Sequence, residues 1–232
     1  MTPQTVRQPI RCCEIDQTEA VEDYLRTIFK LAGRDTPVTT SALAERLGVT
    51  APTVSAMLKR LEAGGLITRS ASRHARLTPH GELHATEVTR RHRLLETFLV
   101  QVLGLSWDEV HVEADVLEHS LSERLESRID AVLGHPTHDP HGDPIPSRVG
   151  EHVEAWTTPL AATATGSRFR VDRVADDDSD ALRYLADRGI VPGAELEVLT
   201  QEPFGGPLWV RIGPSTHALG QALAQTVHGE RV

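Results

Sequence analysis

The segment from residue 111 to residue 119 concentrates side chains that bind metal ions. In a helix, residues three and four apart are neighbours on one face. One face of this segment would collect His111, Asp115, Glu118 and His119. Imidazole mixed with carboxylate suits a divalent transition metal. His92 and Glu96 repeat the four-residue spacing on the helix predicted just before. The spacing therefore predicts a metal site in this part of the chain.

Other interpretations of these residue types stay open. A single histidine is more often an ordinary core or surface residue than a ligand, and the carboxylate of Glu113, on another face, is explained by solvation alone. His135, His138 and His141 lie in a segment rich in proline and glycine, and flexible histidines without nearby carboxylates would bind metal weakly. A metallohydrolase would use the same ligands with a general base, but no motif for a nucleophile or substrate pocket accompanies them. We therefore expect no enzyme.

The composition is that of an ordinary globular protein, with 39% hydrophobic and 25% charged residues in a chain of 232. No apolar run reaches the roughly 18 residues that a membrane helix needs, and the N-terminus is charged where a signal peptide would be apolar. Cys12 and Cys13 are adjacent, so they can form neither a normal disulfide with each other nor a four-thiolate zinc site. These features predict a cytosolic protein.

Charge is distributed unevenly along the chain, whose formal net charge is −9. Residues 40–93 hold 9 basic and 4 acidic side chains, whereas residues 94–155 hold 3 basic and 13 acidic ones. A basic block attracts the phosphates of nucleic acid, and an acidic block attracts cations. This distribution favours a DNA-binding module joined to a cation-binding module over chance clustering of solvated charges.

The first third of the chain has the pattern of a winged helix. Apolar residues recur at helical spacing, and proline and glycine fall where helices begin and end. The predicted elements are helices at 18–32, at 39–47 and from Pro52 to Glu62, followed by short strands at 66–69 and 75–78. Two strands after a helix-turn-helix form the wing.

The third predicted helix is the candidate DNA reader. Its buried stripe is predicted at Val54, Met57, Leu58 and Leu61. Small and hydroxylated side chains then face outward, as suits a helix end in the major groove. These residues are Thr50, Ala51, Pro52, Thr53 and Ser55, together with Lys59. The wing adds cations for phosphate contacts at Arg69, Arg73, His74 and Arg76. Short helical hairpins also occur in proteins that never touch DNA, and the basic block favours DNA here.

The rest of the chain divides into a helical body and a β-rich end. Apolar periodicity predicts two or three helices in 79–133. The segment 135–147 is too rich in proline and glycine for regular structure, so an extended loop is expected. After residue 158, short alternating runs predict a small β-barrel with one helix at 179–188. The fold class is therefore mainly α with a small β part.

Six motifs together give the chain a specific resemblance to a known family. They are Asp-Tyr-Leu-Arg-Thr-Ile at 23–28, Ala-Glu-Arg-Leu at 44–47, Pro-Thr-Val-Ser at 52–55, Arg-Arg-His-Arg-Leu-Leu-Glu at 90–96, Glu-Val-His-Val-Glu-Ala-Asp-Val-Leu-Glu-His at 109–119 and Asp-Pro-His-Gly-Asp-Pro-Ile-Pro at 139–146. Over residues 19–232 the chain resembles the diphtheria toxin repressor family of metal-dependent regulators, and most of all its three-domain, manganese-responsive actinobacterial branch.

The resemblance implies a domain order. The C-terminal part would resemble the SH3-like barrel of iron-transport accessory proteins. The expected divisions are an N-terminal extension at 1–17, a winged helix-turn-helix DNA-binding domain at 18–80, a metal-binding and dimerisation domain at 81–147, a linker at 148–160 and an SH3-like domain at 161–232. The extension lies outside the resemblance.

The resemblance also implies two metal sites per subunit. The primary site would use Asp23, Asp115, Glu118 and His119. The ancillary site would use His92, Glu96 and His111, with Asp176 or Asp178 as candidate ligands from the C-terminal domain. Iron-responsive members have methionine and cysteine where this chain has Asp23 and Asp115. Carboxylates favour Mn²⁺ relative to metals that gain from sulfur ligands, although Fe²⁺, Co²⁺ and Zn²⁺ also bind such sites.

One departure limits the transfer from the family. Arg26 stands where the small two-domain manganese regulators have a ligating glutamate, so their close two-metal cluster is not expected here.

The expected function is a homodimeric repressor that binds palindromic operator DNA when Mn²⁺ is bound and controls manganese uptake genes. The apolar helices within 94–133 would form the dimer surface. An iron-dependent repressor of the same family is the alternative, and a manganese buffer without DNA binding is disfavoured by the basic reader. Neither a membrane nor a small-molecule substrate is expected as a partner.

Overall fold

The computed structural model describes residues 18–34, 36–148 and 156–232. The N-terminal extension, with Cys12 and Cys13, and most of the predicted linker lie outside these residues. These described residues form two compact units, which divide between Val88 and Thr89. Within the described residues, no helix is both long and apolar enough to cross a membrane.

The first unit is the predicted winged helix. Its elements are α1 (Glu19–Gly33), α2 (Thr40–Leu47), α3 (Ala51–Ala63), β1 (Ile67–Arg69) and β2 (Ala75–Leu77), with β1 and β2 antiparallel. Thr39 caps α2 by accepting a hydrogen bond from the Ala42 amide, and Gly48 ends that helix at φ +64°, a left-handed conformation that glycine adopts at low cost. The α-helices pack on a core that includes Ile28, Leu43 and Leu58.

Helix α4 (Pro79–Gln101) follows the wing directly. The Thr78 hydroxyl donates to the Gly65 carbonyl and accepts from the Gly81 amide, which joins the start of α4 to the end of α3. A Cβ at Gly81 would lie 1.9 Å from the Leu66 carbonyl oxygen. The close approach of the two backbones therefore requires glycine at this position.

The second unit begins with the rest of α4 and continues through α5 (Val110–Leu117), a 3₁₀ turn at Glu118–Ser120 and α6 (Glu123–Val132). These helices share a core that includes Leu94, Leu99, Val110 and Ile129. Ser122 caps α6 by accepting from the Leu125 amide. Three α-helices occupy the stretch for which two or three were predicted.

The β-rich end of the second unit is an antiparallel sheet of strand order β3-β8-β4-β5-β6-β7. Its strands are β3 (Thr158–Pro159), β4 (Arg168–Val174), β5 (Glu195–Gln201), β6 (Leu208–Ile212), β7 (Ser215–Leu219) and β8 (Val227–Arg231), with helices α7 (Ser179–Ala186) and α8 (Gln221–Thr226). The sheet and helices enclose an apolar core around Phe169 and Leu182. The predicted fold class, mainly α with a small SH3-like β domain, is confirmed.

The segment 135–147 differs from the extended loop that its composition predicted. Asp139 and Asp143 are paired by a main-chain hydrogen bond of 2.9 Å, and the Asp139 carboxylate accepts from the amides of His141 and Asp143. His141 is completely buried. Local side-chain hydrogen bonds and burial thus order a segment that proline and glycine exclude from helices and strands.

Candidate functional site

His92 of α4 is the centre of a buried cluster in the second unit. Its Nδ1 atom lies 2.6 Å from Glu118 Oε2 and 3.3 Å from Asp115 Oδ1. Its Nε2 atom lies 2.9 Å from Glu96 Oε1 and 3.0 Å from His111 Nδ1. The helical spacing of both segments therefore brings four other predicted residues together around the His92 imidazole.

The residues predicted for the primary site lie where α5 ends. Asp115 is half-buried on α5, whereas Glu118 and His119 belong to the 3₁₀ turn that follows Leu117. The ligands predicted on one face of a single α-helix thus extend from α5 into the 3₁₀ turn. In that turn, Glu118 is fully buried. Asp23 lies on α1 in the first unit, and its role as a fourth ligand stays a prediction.

A second group of candidate ligands combines the predicted residue Glu96 with Asp139 and His141, which were not predicted as ligands. Glu96, Asp139 and His141 each offer a ligand atom, and these atoms lie within 4.8 Å of one another. We call them the Glu96 group. The expectation that His141 is flexible and far from carboxylates is wrong, because the ordered turn at 139–143 places it beside a buried glutamate. His135, by contrast, is largely exposed and contacts Asp130.

The ring of His141 is held in one orientation. Its Nε2 atom donates to the main-chain carbonyl of Trp107 at 2.7 Å, and the two rings stack with centroids 5.6 Å apart. The Nδ1 atom therefore faces Glu96, with 3.8 Å between it and Glu96 Oε2. Histidine ligands of metals are commonly oriented by such a second hydrogen bond.

Of the two candidate ligands in the C-terminal domain, Asp176 lies beside the residues predicted for the ancillary site. Asp176 Oδ2 lies 3.8 Å from His111 Nδ1, and the pair forms a possible metal-binding group with Glu96. Asp178 serves a different purpose, since its carboxylate caps α7 by accepting from the amides of Asp180 and Ala181. The Asp-Pro-His-Gly-Asp motif was a signal for Asp139 and His141, but nothing in the sequence indicated that they would lie beside Glu96.

The charged side chains in this region change one another's pKa values. Burial alone would raise the pKa of Glu96, but His92, His111 and His141 outweigh it and hold that pKa well below the usual range. Burial would lower the pKa of His141, yet the neighbouring Glu96 raises it to about 10. Burial and the carboxylates of Asp143 and Glu96 raise the pKa of Asp139 well above its ordinary value. The protonation states of Glu96, Asp139 and His141 therefore depend on one another.

The Glu96 group fits a divalent metal ion. Among the described residues, Glu96 Oε2 and His141 Nδ1 are buried and have no hydrogen-bond partner, which is costly unless another group satisfies them. Ligand atoms about 2.0–2.2 Å from one ion lie up to about 4.4 Å apart, close to the spacing seen here. Oxygen and imidazole donors suit Mn²⁺, Fe²⁺ and Zn²⁺.

The candidate DNA-binding surface lies on α3 and the wing. Thr50 caps α3 by accepting from the Thr53 amide, and its hydroxyl is also 2.9 Å from that of Thr53. Val54, Leu58 and Leu61 are buried as predicted, whereas Met57 is only half-buried against the same core. The residues predicted to face DNA are exposed apart from Ser55 and His74, which are half-exposed: Thr50, Ala51, Pro52, Thr53, Lys59, Arg69, Arg73 and Arg76.

A groove runs between α3 and the wing. It is lined by Ser55, Lys59, Glu62, Arg69, Ser70 and Arg73. Arg69 donates to Glu62 through Nε at 2.9 Å and Nη2 at 2.5 Å, so part of the wing's positive charge is already paired. Arg73 adopts φ +61° at the wing tip.

Family models match the chain along most of its length. They are the N-terminal DNA-binding domain of iron-dependent repressors at residues 16–75, the metal-binding and dimerisation domain of the same proteins at 78–147, and the FeoA domain at 158–231. The chain thus has a DNA-binding repressor domain and a dimerisation domain.

Curated relatives share this organisation. The chain is 37% identical to the iron-dependent repressor IdeR of Mycobacterium tuberculosis over 226 residues, which cover 92% of this chain and 98% of that protein. It is 33% identical to the diphtheria toxin repressor of Corynebacterium diphtheriae over 197 residues, which cover 81% of this chain and 87% of that protein.

Solved structures agree with these matches. A manganese-dependent transcriptional repressor in complex with manganese is 41% identical, has a TM-score of 0.85 and is similar over 91% of this chain and 100% of that chain. ScaR with bound Cd²⁺ is 31% identical, with a TM-score of 0.79 over 91% of this chain and 99% of that chain. These relatives are regulators and not enzymes. The chain belongs to the diphtheria toxin repressor family of metal-dependent transcriptional repressors.

Proposed function

We propose that this protein is a manganese-activated repressor that binds palindromic operator DNA as a homodimer and controls manganese uptake genes. The observation that carries the choice of metal is the pair Asp23 and Asp115, hard oxygen ligands where the resemblance implies sulfur in iron-responsive members. The similarity to a manganese-dependent repressor supports it. The similarity to IdeR supports the alternative, an iron-dependent repressor.

The first metal would be held by Asp115, Glu118 and His119, with Asp23 as the fourth ligand. Three of these residues lie on α5 and the 3₁₀ turn, where Glu118 is fully buried. Bound metal supplies positive charge that offsets repulsion between the carboxylates. Because Asp23 belongs to α1, in the same unit as the reader α3, a shared ion would make the reader's position depend on metal.

The second metal would be held by the Glu96 group together with Asp176. Glu96 Oε1 is already hydrogen-bonded by His92 and His111, whereas Glu96 Oε2 and His141 Nδ1 have no hydrogen-bond partner among the described residues. We therefore favour the Oε2 side of Glu96 over the ancillary set of His92, Glu96 and His111. In this arrangement His92 links the carboxylates of both sites, since it contacts Glu118 as well as Glu96.

The dimer surface would be the exposed apolar face of α5 and α6. Its residues are Val112, Val116, Leu117, Leu125 and Val132, which expose between 41% and 70% of their surface. An apolar patch of this kind marks an interaction site. A palindrome requires two α3 readers about one helical turn of DNA apart, or a multiple of it, which a monomer cannot present.

The choice of manganese is tested by introducing the sulfur ligands that the resemblance implies for iron-responsive members. The double variant Asp23→Met, Asp115→Cys should require more Mn²⁺ and less Fe²⁺ or Co²⁺ than the wild type for half-maximal DNA binding. Anaerobic titrations of both proteins with each metal measure this ranking. If the ranking of the metals is unchanged, these two oxygen ligands do not determine the metal preference. The iron-dependent alternative would then be favoured.

A further inference from the structure

Arg173 is buried beside the second metal site although it is not one of the proposed ligands. The register of β4 against β8 shifts between Val171 and Arg173, and such bulges redirect side chains. Val174 lies in the apolar core of the sheet, whereas the guanidinium of Arg173 contacts Asp143 in the turn at 139–143. Arg173 is nevertheless only 3% exposed. A buried arginine at this position needs an explanation beyond apolar packing.

A short series of contacts leads from Arg173 to the proposed ligands. Arg173 Nε donates to Asp143 Oδ1. The other carboxylate oxygen of Asp143 accepts from Arg93 Nη2 at 3.1 Å, and Arg93 Nε lies 3.7 Å from Asp139 Oδ2. The Asp143 amide donates to Asp139 Oδ1 at 2.8 Å. Asp143 is thus connected to the ligand Asp139 through both its backbone and Arg93.

The same strand holds the turn in place through its backbone. The Val174 amide donates to the His141 carbonyl at 2.9 Å. Gly142 has φ +88°, and a Cβ there would lie 2.0 Å from the Asp172 carbonyl oxygen. The guanidinium of Arg173 also lies 3.5 Å from the centre of the Trp156 ring. This cation–π contact holds the guanidinium in its orientation.

We propose that Arg173 is a positioning residue for the second metal site, which sets metal affinity by holding Asp143 and therefore the ligands Asp139 and His141. The inference rests on the proposed function, because it assumes that the Glu96 group binds the second ion. Without the guanidinium, Asp143 loses one of its arginine contacts, and the stronger repulsion between Asp143 and Asp139 disorders the turn. Loss of a residue that orients metal ligands typically lowers affinity about 10- to 100-fold.

The test is a Mn²⁺ binding isotherm of the full-length protein, with free Mn²⁺ followed by electron paramagnetic resonance. The variants are Arg173→Leu, Arg173→Lys and the matched control Arg170→Leu, on the same strand but 44% exposed at its side chain. We expect Arg173→Leu to weaken one of two Mn²⁺ sites about 10- to 100-fold and to leave the other unchanged. Arg173→Lys should restore part of the loss, and Arg170→Leu should match the wild type.

The outcomes separate this inference from the proposed function. If the wild type binds two ions and Arg173→Leu binds both as tightly, Arg173 does not position the site and the inference is wrong, while the second site stands. If the wild type binds only one ion, the second site and the inference are both wrong. If Arg173→Leu does not fold, the decision passes to Arg173→Lys, which keeps the charge but lacks the planar fork and should still weaken one site selectively.

Discussion

Glu96 and His141 face each other in the core of the second unit, with 3.8 Å between Oε2 of the one and Nδ1 of the other. They are 45 positions apart in the chain, and each presents a buried atom without a hydrogen-bond partner among the described residues. Glu96 comes from a long helix, whereas His141 comes from an irregular turn pressed against β4. A metal ion between them would satisfy both atoms.

Binding at this pair should release protons. The pKa of His141 is raised to about 10 by Glu96, so the imidazole is protonated at neutral pH, and a metal must displace that proton. Below pH 10, affinity at this site should therefore rise about tenfold per pH unit. Mn²⁺ calorimetry at about pH 7 in buffers of different ionisation enthalpy should give at least one proton released. The variant His141→Gln should lose that proton release, and equal heats for the wild type in all buffers would contradict the assignment.

The turn at 139–143 should tolerate no side chain at Gly142. Gly142 has φ +88° and would place a Cβ against the Asp172 carbonyl, whereas Gly104 has φ +73° with nothing within 4 Å. Gly104→Ala should therefore cost about 1 kcal/mol from backbone strain alone. Gly142→Ala adds a clash with backbone, so we expect a loss of more than about 2 kcal/mol and weaker binding of the second Mn²⁺. Urea unfolding of both variants measures the difference, and equal losses would show that the turn can move away from β4.

The apolar face of α5 and α6 should be required for dimerisation. Val116 is 70% exposed, and burying a carboxylate there against a second copy would be strongly unfavourable. We expect Val116→Asp to weaken the dimer at least about tenfold, as a central interface residue does. Leu83→Asp, at a residue of α4 that is 54% exposed, is the matched control. Sedimentation equilibrium of both variants gives the dissociation constants, and an unchanged dimer in Val116→Asp would place the interface elsewhere.

The wing should act through charge. Arg73 lines the groove beside α3, and losing one phosphate contact should reduce the slope of log affinity against log salt by about one. Arg73→Ala should therefore bind all DNA sequences more weakly, while Arg188→Ala in the second unit should not. Glu62→Gln should have the opposite effect and tighten binding, because Glu62 pairs with Arg69. DNA titrations over a range of salt concentrations test both, and an unchanged slope in Arg73→Ala would exclude the wing from the DNA contact.

Which site residues could be predicted from the sequence depended on whether their contacts are with residues near or distant in the chain. His92, Glu96, His111, Asp115 and Glu118 were found because spacings of three and four residues within a helix determine which side chains share a face. Asp139 and His141 were quoted in a motif but assigned to a flexible loop. Their order comes from an aspartate that hydrogen-bonds its own turn and from Arg93 and Arg173, and no local periodicity reports such long-range contacts.

The C-terminal ligand shows the same limit. Asp176 and Asp178 were equal candidates by residue type and position. The structure separates them, because Asp178 caps α7 while Asp176 is buried near His111. The winged helix, in contrast, followed from apolar periodicity, proline and glycine, since each of its elements is bounded by local signals.

The most direct test of manganese activation is a fluorescence-anisotropy titration of metal-free protein with palindromic DNA from upstream of manganese uptake genes. Mn²⁺, anaerobic Fe²⁺ and Zn²⁺ are each raised stepwise, with Asp115→Ala as the comparison. We expect tight binding that needs Mn²⁺ and disappears in Asp115→Ala, with an increase in DNA affinity of about 5- to 150-fold. Binding that is independent of metal, or that responds to Fe²⁺ but not to Mn²⁺, would contradict it.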